Sequence, residues 1–599
     1  MIKLSDYVFD FVAGLGVKHV FLLPGGGCMH LVDSLGKQKK LEPVCCLHEQ
    51  AAAIAADAEA QYTNNMGVLL VTTGPGGTNA VTGVAASWID STPVIVISGQ
   101  VKRADMMGVS GVRQMGLQEA DIVSIVKPIT KYAVTVTEPK TIRYHLEKAT
   151  CIAKAGRPGP VWLDIPLDVQ GSMINENELD PFDTSEIDVV EPAGLRDMVE
   201  GVARLISKAE RPVILAGNGI RLAKAEKDFL ALVDSLKIPV LLTWRTLDLL
   251  PDDHELYFGR PGSIGQRGAN FIQQNSDLII TIGTRLDLAQ VGHSYKNFAR
   301  AAKKVVVDID QAEINKMKME IDIPACIDAK VFIGELLKIS AAIEKRDWSS
   351  WITRCRDWKK SYPVILPEYW EAKGSVNTYV LIDVLSDLMT EDDVLVPGSS
   401  GSCSEITLQA FRAKKGQRIF NTPGLGAMGF GLPASMGGCI ASGKRTVTLI
   451  GDGGLQLNIQ ELETIARLKL PLKIFILNNN AYGSIRATQN KFFDGHLVCC
   501  DPSSGLTLPD TCKVVASYGI QTTKIENHED IKRMVKDVLD SEGPIVCEVM
   551  VDLNLQTAPK LSSMVKPDGS IVSKPLEDLW PFLDREEFKA SMIVKPIED

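Results

Sequence analysis

The sequence predicts an α/β protein with three open, parallel-sheet domains in a row and a tail after the third. Short aliphatic and β-branched runs recur and end in glycine or polar residues, the pattern of strands buried on both faces. Helix-spaced stretches separate these runs, and a helical crossover returns the chain in the same direction. The length of 599 residues is too great for a single core. The expected domains are 1–175, 193–345 and 366–555, with an acidic, proline-bearing linker at 166–192 and a tail at 556–599.

The composition, 45% apolar and 23% charged, is that of a globular enzyme, and the net charge of −10 argues against a nucleic-acid or membrane-surface binder. A local basic pocket for an anionic substrate stays compatible with it. No apolar run approaches the roughly 20 residues of a membrane span, and the N-terminal stretch lacks a signal peptide's apolar block. Twelve cysteines include the adjacent pairs Cys45-Cys46 and Cys499-Cys500, which are not metal-spaced. Reduced thiols and a cytoplasmic location are expected.

In the first domain, residues 4–15 read as an amphipathic helix and 20–23 as a strand, followed directly by Pro24-Gly25-Gly26-Gly27. A glycine turn after a first strand suits a dinucleotide, but the full GxGxxG spacing is missing. Residues 43–47 form the next strand, His48-Glu49-Gln50 its end, and 51–62 an alanine-rich helix. Glu49 is therefore a carboxylate at a strand's carboxyl end among small apolar neighbours. Taken alone it reads as a helix N-terminal acid favoured by the dipole, with dipole and burial pulling its pKa in opposite directions. Strands at 68–72 and 93–98 flank the loop Gly74-Pro75-Gly76-Gly77-Thr78-Asn79. Leu117-Gln118-Glu119-Ala120-Asp121 follows, and Gly156-Arg157-Pro158-Gly159-Pro160 with a strand at 161–165 closes the domain.

The middle domain alternates strands at 212–216, 239–242, 278–282 and 304–309 with helical stretches. Gly217-Asn218-Gly219, Gly283-Thr284-Arg285 and Asp308-Ile309-Asp310 fall at strand ends, where an open sheet holds phosphates and ribose. Ordinary turn chemistry explains any one of them singly.

The third domain enters through a helix at 379–389 and a strand at 394–396. Pro397-Gly398-Ser399-Ser400-Gly401 follows, and its small hydroxyl side chains suit diphosphate oxygens as well as turns. A strand at 446–450 runs into Gly451-Asp452-Gly453-Gly454. A helix bearing Ile459, Leu462, Ile465 and Ala466 comes next, then a strand at 473–477 that ends in Asn478-Asn479-Asn480. Asp452 and Asn479 thus stand at the carboxyl ends of two parallel strands. A carboxylate and an amide oxygen there suit magnesium, which takes few protein ligands and fills its shell from phosphate and water. Gly453 and Gly454 leave N–H groups free for those phosphates. A lone GDG would be a plain turn; the paired strand ends favour a metal–diphosphate site.

GDG, 24 residues, then Asn-Asn resembles the thiamine diphosphate signature. The likeness extends through Gly424-Leu425-Gly426-Ala427-Met428-Gly429-Phe430-Gly431-Leu432-Pro433, through Asn458 to Leu462, and to the first-domain segments at Glu49, Gly74–Asn79 and Gln118. It is similar above all to the acetolactate synthase large subunit and its relatives. The resemblance implies pyrimidine-binding, central nucleotide-binding-like and diphosphate-binding domains in that order. It assigns Glu49 to proton exchange with the cofactor's aminopyrimidine and Gln118 to the substrate side. Magnesium would be held by Asp452, Asn479 and the carbonyl of Ala481. Gly25, Pro75, Asn79, Ser399, Ser400, Gly426, Met428, Gly453, Gly454 and Tyr482 would surround thiamine diphosphate, with Met428 as its bulky prop. The central domain would hold FAD, a reading that Asp287 and Asp310 agree with and residues 258–262 and 288–290 depart from; an adenine nucleotide or an empty site is the alternative. A homodimer or homotetramer with shared active sites is implied.

The implied reaction decarboxylates a 2-keto acid, pyruvate by default, and transfers the two-carbon unit to a carbonyl acceptor. The positions of Ser484 and Thr488 are smaller and more polar than the family's methionine and tryptophan, and Arg486 and Arg260 would add positive charge nearby. A carboligase for a larger oxygenated acceptor such as a keto sugar, and a thiamine diphosphate-dependent lyase or decarboxylase, therefore stay open. So does a non-catalytic nucleotide-binding relative, which would be expected to have lost Glu49. The tail carries a turn at Pro567-Asp568-Gly569 and a charged helix at 584–591, and would wrap over the active site as a lid or brace the dimer.

Overall fold

Three twisted sheets, each wholly parallel, organise the chain. The computed structural model describes residues 1–187, 194–565 and 571–597; the turn expected at Pro567-Asp568-Gly569 and the end of the linker lie outside them. The first sheet comprises β1 (His19–Leu22), β2 (Glu42–Cys45), β3 (Gly67–Val71), β4 (Val94–Gln100), β5 (Tyr132–Thr135) and β6 (Val161–Pro166) in the order β2-β1-β3-β4-β6-β5. The central sheet comprises β7 (Pro212–Ala216), β8 (Val240–Leu242), β9 (Leu278–Ile282), β10 (Lys303–Asp308) and β11 (Ile323–Cys326), ordered β8-β7-β9-β10-β11. The third comprises β12 (Val394–Leu395), β13 (Arg418–Ile419), β14 (Thr446–Gly451), β15 (Leu472–Asn478), β16 (Gln521–Ile525) and β17 (Ile545–Met550), ordered β13-β12-β14-β15-β17-β16. The first and third sheets are wound identically. Strands β3, β4, β7 and β9 are buried along their whole length, because helices cover both faces.

The strands expected from apolar runs are all present. Five strands of these sheets were not anticipated, β5, β11, β13, β16 and β17, nor were the short antiparallel pairs Ile2–Lys3 with Met173–Ile174 and Ser563–Val565 with Ile571–Ser573.

Four helices bear on the site: α1 (Glu49–Thr63), α2 (Pro75–Ile89), α3 (Gly431–Ser442) and α4 (Asp452–Leu455). Alanine lets α1 be gripped from several sides. A Cβ on Gly83 of α2 would lie 2.5 Å from Ala53 Cβ, and one on Gly437 of α3 would lie 2.3 Å from the Ala55 carbonyl. One continuous core therefore runs from Ala52 and Ala55 through Leu432 and Met436 to Ile450, joining the first and third domains. Buried charge ties in the central domain. Asp248 is paired with Arg221 and Arg418, each at 2.8 Å, and the two guanidinium groups hold its pKa down against burial. Arg245 donates to Gln61 Oε1 at 2.9 Å and to the carbonyl of Asp90 at 2.6 Å.

The central core also takes in Trp348, Trp351 and Trp358, beyond the third strand-helix repeat, and Leu576 and Phe588 of the tail. All nine residues of the helix Arg267–Asn275 are buried, five of them polar or charged. The tail supplies partners for four of them. Arg267 donates to the carbonyls of Leu579 and Pro581, Asn270 to that of Leu576, Gln274 to Glu577, and Asn275 to that of Ser591. Residues 576–591 are thus fastened to the central domain.

The expectation for Arg260 is corrected. It is 1% exposed and donates to Tyr257 Oη (2.6 Å) and to the carbonyls of Gln409 (2.8 Å) and Phe411 (2.9 Å), so it fastens central to third domain and lines no substrate pocket. Arg486 is held by Asp501 at 2.9 Å and by Asn554 at 3.1 Å, so its charge is already paired.

Candidate active site

The expected residues gather in two groups, one on the first sheet and one on the third. Beyond β2 the chain turns through Cys46 to His48, whose Nδ1 accepts the Gln50 N–H at 3.1 Å and caps α1. Glu49 is the first residue of α1 and is 5% exposed. Asn79, on the first turns of α2, donates Nδ2 to Glu49 Oε2 at 3.0 Å. Pro75 at the start of α2 fixes the approach, and Gly76 must lack a side chain: a Cβ there would lie 2.8 Å from Thr72 Cγ2 and 3.5 Å from Glu49 Oε1. Gly25 packs against the same Thr72, at 2.6 Å from its Cβ position. Gln118 adopts φ +63° and presses its carbonyl on Gly74, where a Cβ would lie 2.1 Å away.

Glu461 escaped notice in the sequence. It is fully buried, accepts the N–H of Leu47 at 2.9 Å and the Thr464 hydroxyl at 2.7 Å, and so pins the end of β2 just before Glu49. Burial pushes its carboxyl pKa up, and these hydrogen bonds pull it back. An acid four residues before Ile465, on the apolar face of its helix, was the available signal.

On the third sheet, β14 runs through Gly451 and Asp452 opens α4, a single helical turn rather than a bare loop. Asp452 is 3% exposed; Oδ1 accepts the Gly453 N–H at 2.8 Å and Oδ2 that of Asn480 at 2.7 Å. Burial raises its pKa to about 6, opposed by the surrounding backbone N–H groups. Asn480 at φ +53° closes the loop after β15. Asn478 steadies that loop: its Oδ1 also accepts the Asn480 N–H (2.9 Å), and its Nδ2 donates to Glu548 Oε1 (2.7 Å). Asn479 Oδ1 accepts the Ala481 N–H at 3.1 Å, and the Tyr482 ring lies on Gly453, 2.4 Å from a Cβ position. Gly426 adopts φ +63° beside the Ser399 carbonyl, Ser400 follows, and the Gly454 Cβ position is 3.9 Å from the Gly429 N. Met428 is 38% exposed.

These groups fit a magnesium-held diphosphate. A carboxylate, an amide oxygen and a carbonyl are a hard cation's ligands, and Ser399 Oγ is buried without a hydrogen-bond partner among the described residues, a donor that lacks its acceptor. Among the described residues, no hydrogen bond or ion pair joins Glu49, Asn79 or Gln118 to Asp452, Asn479 or Ser399.

A separate cavity of about 560 Å³ lies along the carboxyl ends of the central strands, where all three domains meet. Gly219 and Gly283 form its floor, a Cβ on either meeting the other's backbone within 2.7 Å. Arg285, Asp287 and Asp308 line it, as do Pro261, Gly262, Leu288, Ala289 and Gln290. The segments that departed from the flavin pattern are therefore on the wall. Asp308, raised to about 6 by burial, faces the cavity, while Asp310 is drawn to Arg157 at 3.0 Å.

The chain matches the thiamine pyrophosphate enzymes in three segments: the N-terminal TPP binding domain at residues 2–125, the central domain at 199–336 and the C-terminal TPP binding domain at 399–549. It is 32% identical over 575 residues to the acetolactate synthase large subunit of Cyanidium caldarium, covering 94% of this chain and 95% of that one. The acetolactate synthase isozyme 1 large subunit of Escherichia coli K12 is 30% identical over 568 residues (94% and 96%), and the large subunit from Lactococcus lactis 30% over 571 (95% and 96%).

Proposed function

Because the chain belongs to the thiamine pyrophosphate enzymes, within the acetolactate synthase large-subunit group, we propose that it decarboxylates pyruvate and transfers the two-carbon unit to a carbonyl acceptor. The observation that carries this is the intact pair Glu49–Asn79 beyond the carboxyl ends of one sheet, with Asp452, Asn479 and an unpartnered Ser399 beyond the carboxyl ends of another of identical winding. A binding-only relative has no use for a buried carboxylate held by an amide in that position.

Thiamine diphosphate, when bound, supplies the nucleophilic carbon and the electron sink for loss of CO2. The chain's residues do the remainder. Asp452, Asn479 and the Ala481 carbonyl would hold Mg2+, and Ser399 Oγ with the Gly454 N–H would meet the diphosphate, the Gly453 N–H being taken by Asp452 Oδ1. Glu49, steadied by Asn79, holds the proton exchanged at the aminopyrimidine ring. Met428 stands at the open side and orients the cofactor, and Gln118 meets the keto acid.

Leu47, Leu117, Met428 and Leu457, each more than a third exposed, surround the two half-sites. Apolar exposure of that kind favours a second copy of the chain, so that Glu49 of one protomer completes the diphosphate site of its partner. The central cavity, at the carboxyl ends of a doubly wound sheet and with glycines at its floor, is read as an FAD site; flavin absorption bands in the purified protein test it. Twelve free thiols favour a reducing compartment such as the cytoplasm. No helix among the described residues is long and apolar enough to cross a membrane.

The deciding experiment is CO2 release from pyruvate with thiamine diphosphate and Mg2+, with the product read by mass spectrometry, for the natural protein and for Glu49→Gln. The variant is expected to lose turnover by about 100-fold or more and to keep its cofactor affinity. Undiminished turnover would sink the assignment of Glu49.

A further inference from the structure

Gln118 closes a loop, residues 101–118, that crosses the rim of the first half-site outside any sheet. The loop holds Val109, Val112, Met115 and Leu117 in solvent, Leu117 at 87% exposure. Beneath it Glu119 is 6% exposed. Its Oε1 accepts the Met107 N–H at 2.5 Å, and its Oε2 accepts those of Met115 at 2.8 Å and Gly116 at 3.1 Å. No ion pair reaches Glu119 among the described residues, so peptide dipoles from the two arms of the loop meet its charge. Gly116 has no room for a side chain, since a Cβ would lie 2.8 Å from the Asp105 carbonyl. On the other side, Gln100 Nε2 holds the Ala120 carbonyl at 3.0 Å. Between these fixed points Gln118 is driven to φ +63° with its carbonyl against Gly74, the residue before the helix that carries Asn79.

We propose that Glu119 is a positioning residue: it gathers residues 107–116 around both oxygens of its carboxylate and thereby sets Gln118 at the substrate side of Glu49. Glu119 acts through backbone and touches no reacting atom. The proposal rests on the reading of Gln118 as the residue that meets the keto acid.

The chemistry implies an unusual substitution pattern. An ionised carboxylate accepts at both oxygens, whereas an amide accepts at one and offers N–H at the other. Glu119→Gln therefore turns an NH2 group toward the N–H of Met107, or toward those of Met115 and Gly116. The isosteric change fails as a rescue, although it would succeed wherever one acceptor were enough.

The test uses the full chain with thiamine diphosphate and Mg2+. Amide hydrogen exchange at Met107, Met115 and Gly116 is measured first, then cofactor affinity by fluorescence titration, then pyruvate kinetics for Glu119→Gln, Glu119→Ala, Gln118→Ala and the double variant Gln118→Ala/Glu119→Gln. Loop exchange in Glu119→Gln is expected to rise about tenfold or more, and pyruvate kcat/KM to fall about tenfold with cofactor affinity within about twofold. The double variant is expected to be no worse than Gln118→Ala, since the two act as one unit. Natural loop exchange in Glu119→Gln, losses that multiply in the double variant, or cofactor affinity that falls in step with kcat/KM would each overturn the proposal. Where Glu119→Ala does not fold, Glu119→Gln and the exchange measurement decide. A natural protein that fails to turn over pyruvate would count against the functional reading alone, because loop exchange reports on Glu119 without turnover.

Discussion

Replacing Asp164 by asparagine should remove a large part of the pH dependence of this protein's stability. Asp164, on β6, is 1% exposed. Its Oδ1 accepts the Ser98 hydroxyl at 2.6 Å, and its Oδ2 accepts Gln100 Nε2 and the Thr135 hydroxyl, each at 3.1 Å. Burial wins over these three bonds and raises the pKa from the ordinary 3.8 to about 7. A group whose folded pKa lies above its unfolded one contributes stability that is fully present below the unfolded value and is lost as pH rises through the folded value. The full effect is about 3 pKa units at 1.36 kcal/mol each, or about 4 kcal/mol; between about pH 5 and about pH 8 roughly 3 kcal/mol of it falls within reach. Asp308 and Asp452, both raised to about 6, titrate in the same range. The informative quantity is therefore the difference between the natural protein and Asp164→Asn, in which their contributions cancel. In thermal unfolding at a series of pH values, the natural protein should gain on the variant by roughly 2–3 °C on going from about pH 8 to about pH 5, the unfolding entropy being that of a 599-residue chain. A difference that stays flat across that interval would show that Asp164 is ionised when folded and that its three partners outweigh burial.

Asp452→Ala should weaken thiamine diphosphate binding by about tenfold or more in the presence of Mg2+ and much less in its absence; equal titration curves would remove the metal assignment. Gly437→Val places a side chain where the Ala55 carbonyl is 2.3 Å away, so α1 and α3 must separate, at about 1–3 kcal/mol in denaturant unfolding; an unchanged midpoint would mean the crossing is loose. Arg260→Met leaves the Phe411 carbonyl and the Tyr257 hydroxyl without the Arg260 donor, while the Gln409 carbonyl keeps Gln266 Nε2, and should destabilise by about 2 kcal/mol, with pyruvate KM unmoved; a shift confined to KM would return Arg260 to the substrate pocket.

What the sequence disclosed, and what it hid, follows from how far apart the interacting residues lie. Glu49, Asp452 and Asn479 were legible because each sits where an apolar run stops, and strand ends are local. The glycine positions were legible for the same reason, since a turn declares itself within a few residues. β16 was hidden because QTTKI is an edge strand with half its side chains outward, and β5 for a similar reason. Arg260 read as positive charge near the substrate because two of its acceptors lie 149 and 151 positions away. Glu119 and Glu461 were hidden more thoroughly. The Glu119 carboxylate, satisfied by backbone N–H groups, has no partner side chain to betray it, and only its place on an apolar face gave a hint of Glu461.

The helix Arg267–Asn275 has a consequence for how the protein is made. Its polar side chains are answered by carbonyls 306 to 316 positions later in the chain. At roughly 5–20 residues per second, a ribosome needs on the order of 15–60 s to bring those acceptors out. Throughout that interval the nascent middle domain carries a helix it cannot yet bury without orphaning an arginine and three amides. The middle domain is bound to wait in an open, chaperone-accessible form. A premature stop between residues 326 and 576 would thus release a chain whose second domain is unfinished, even though every strand of its sheet had already been synthesised.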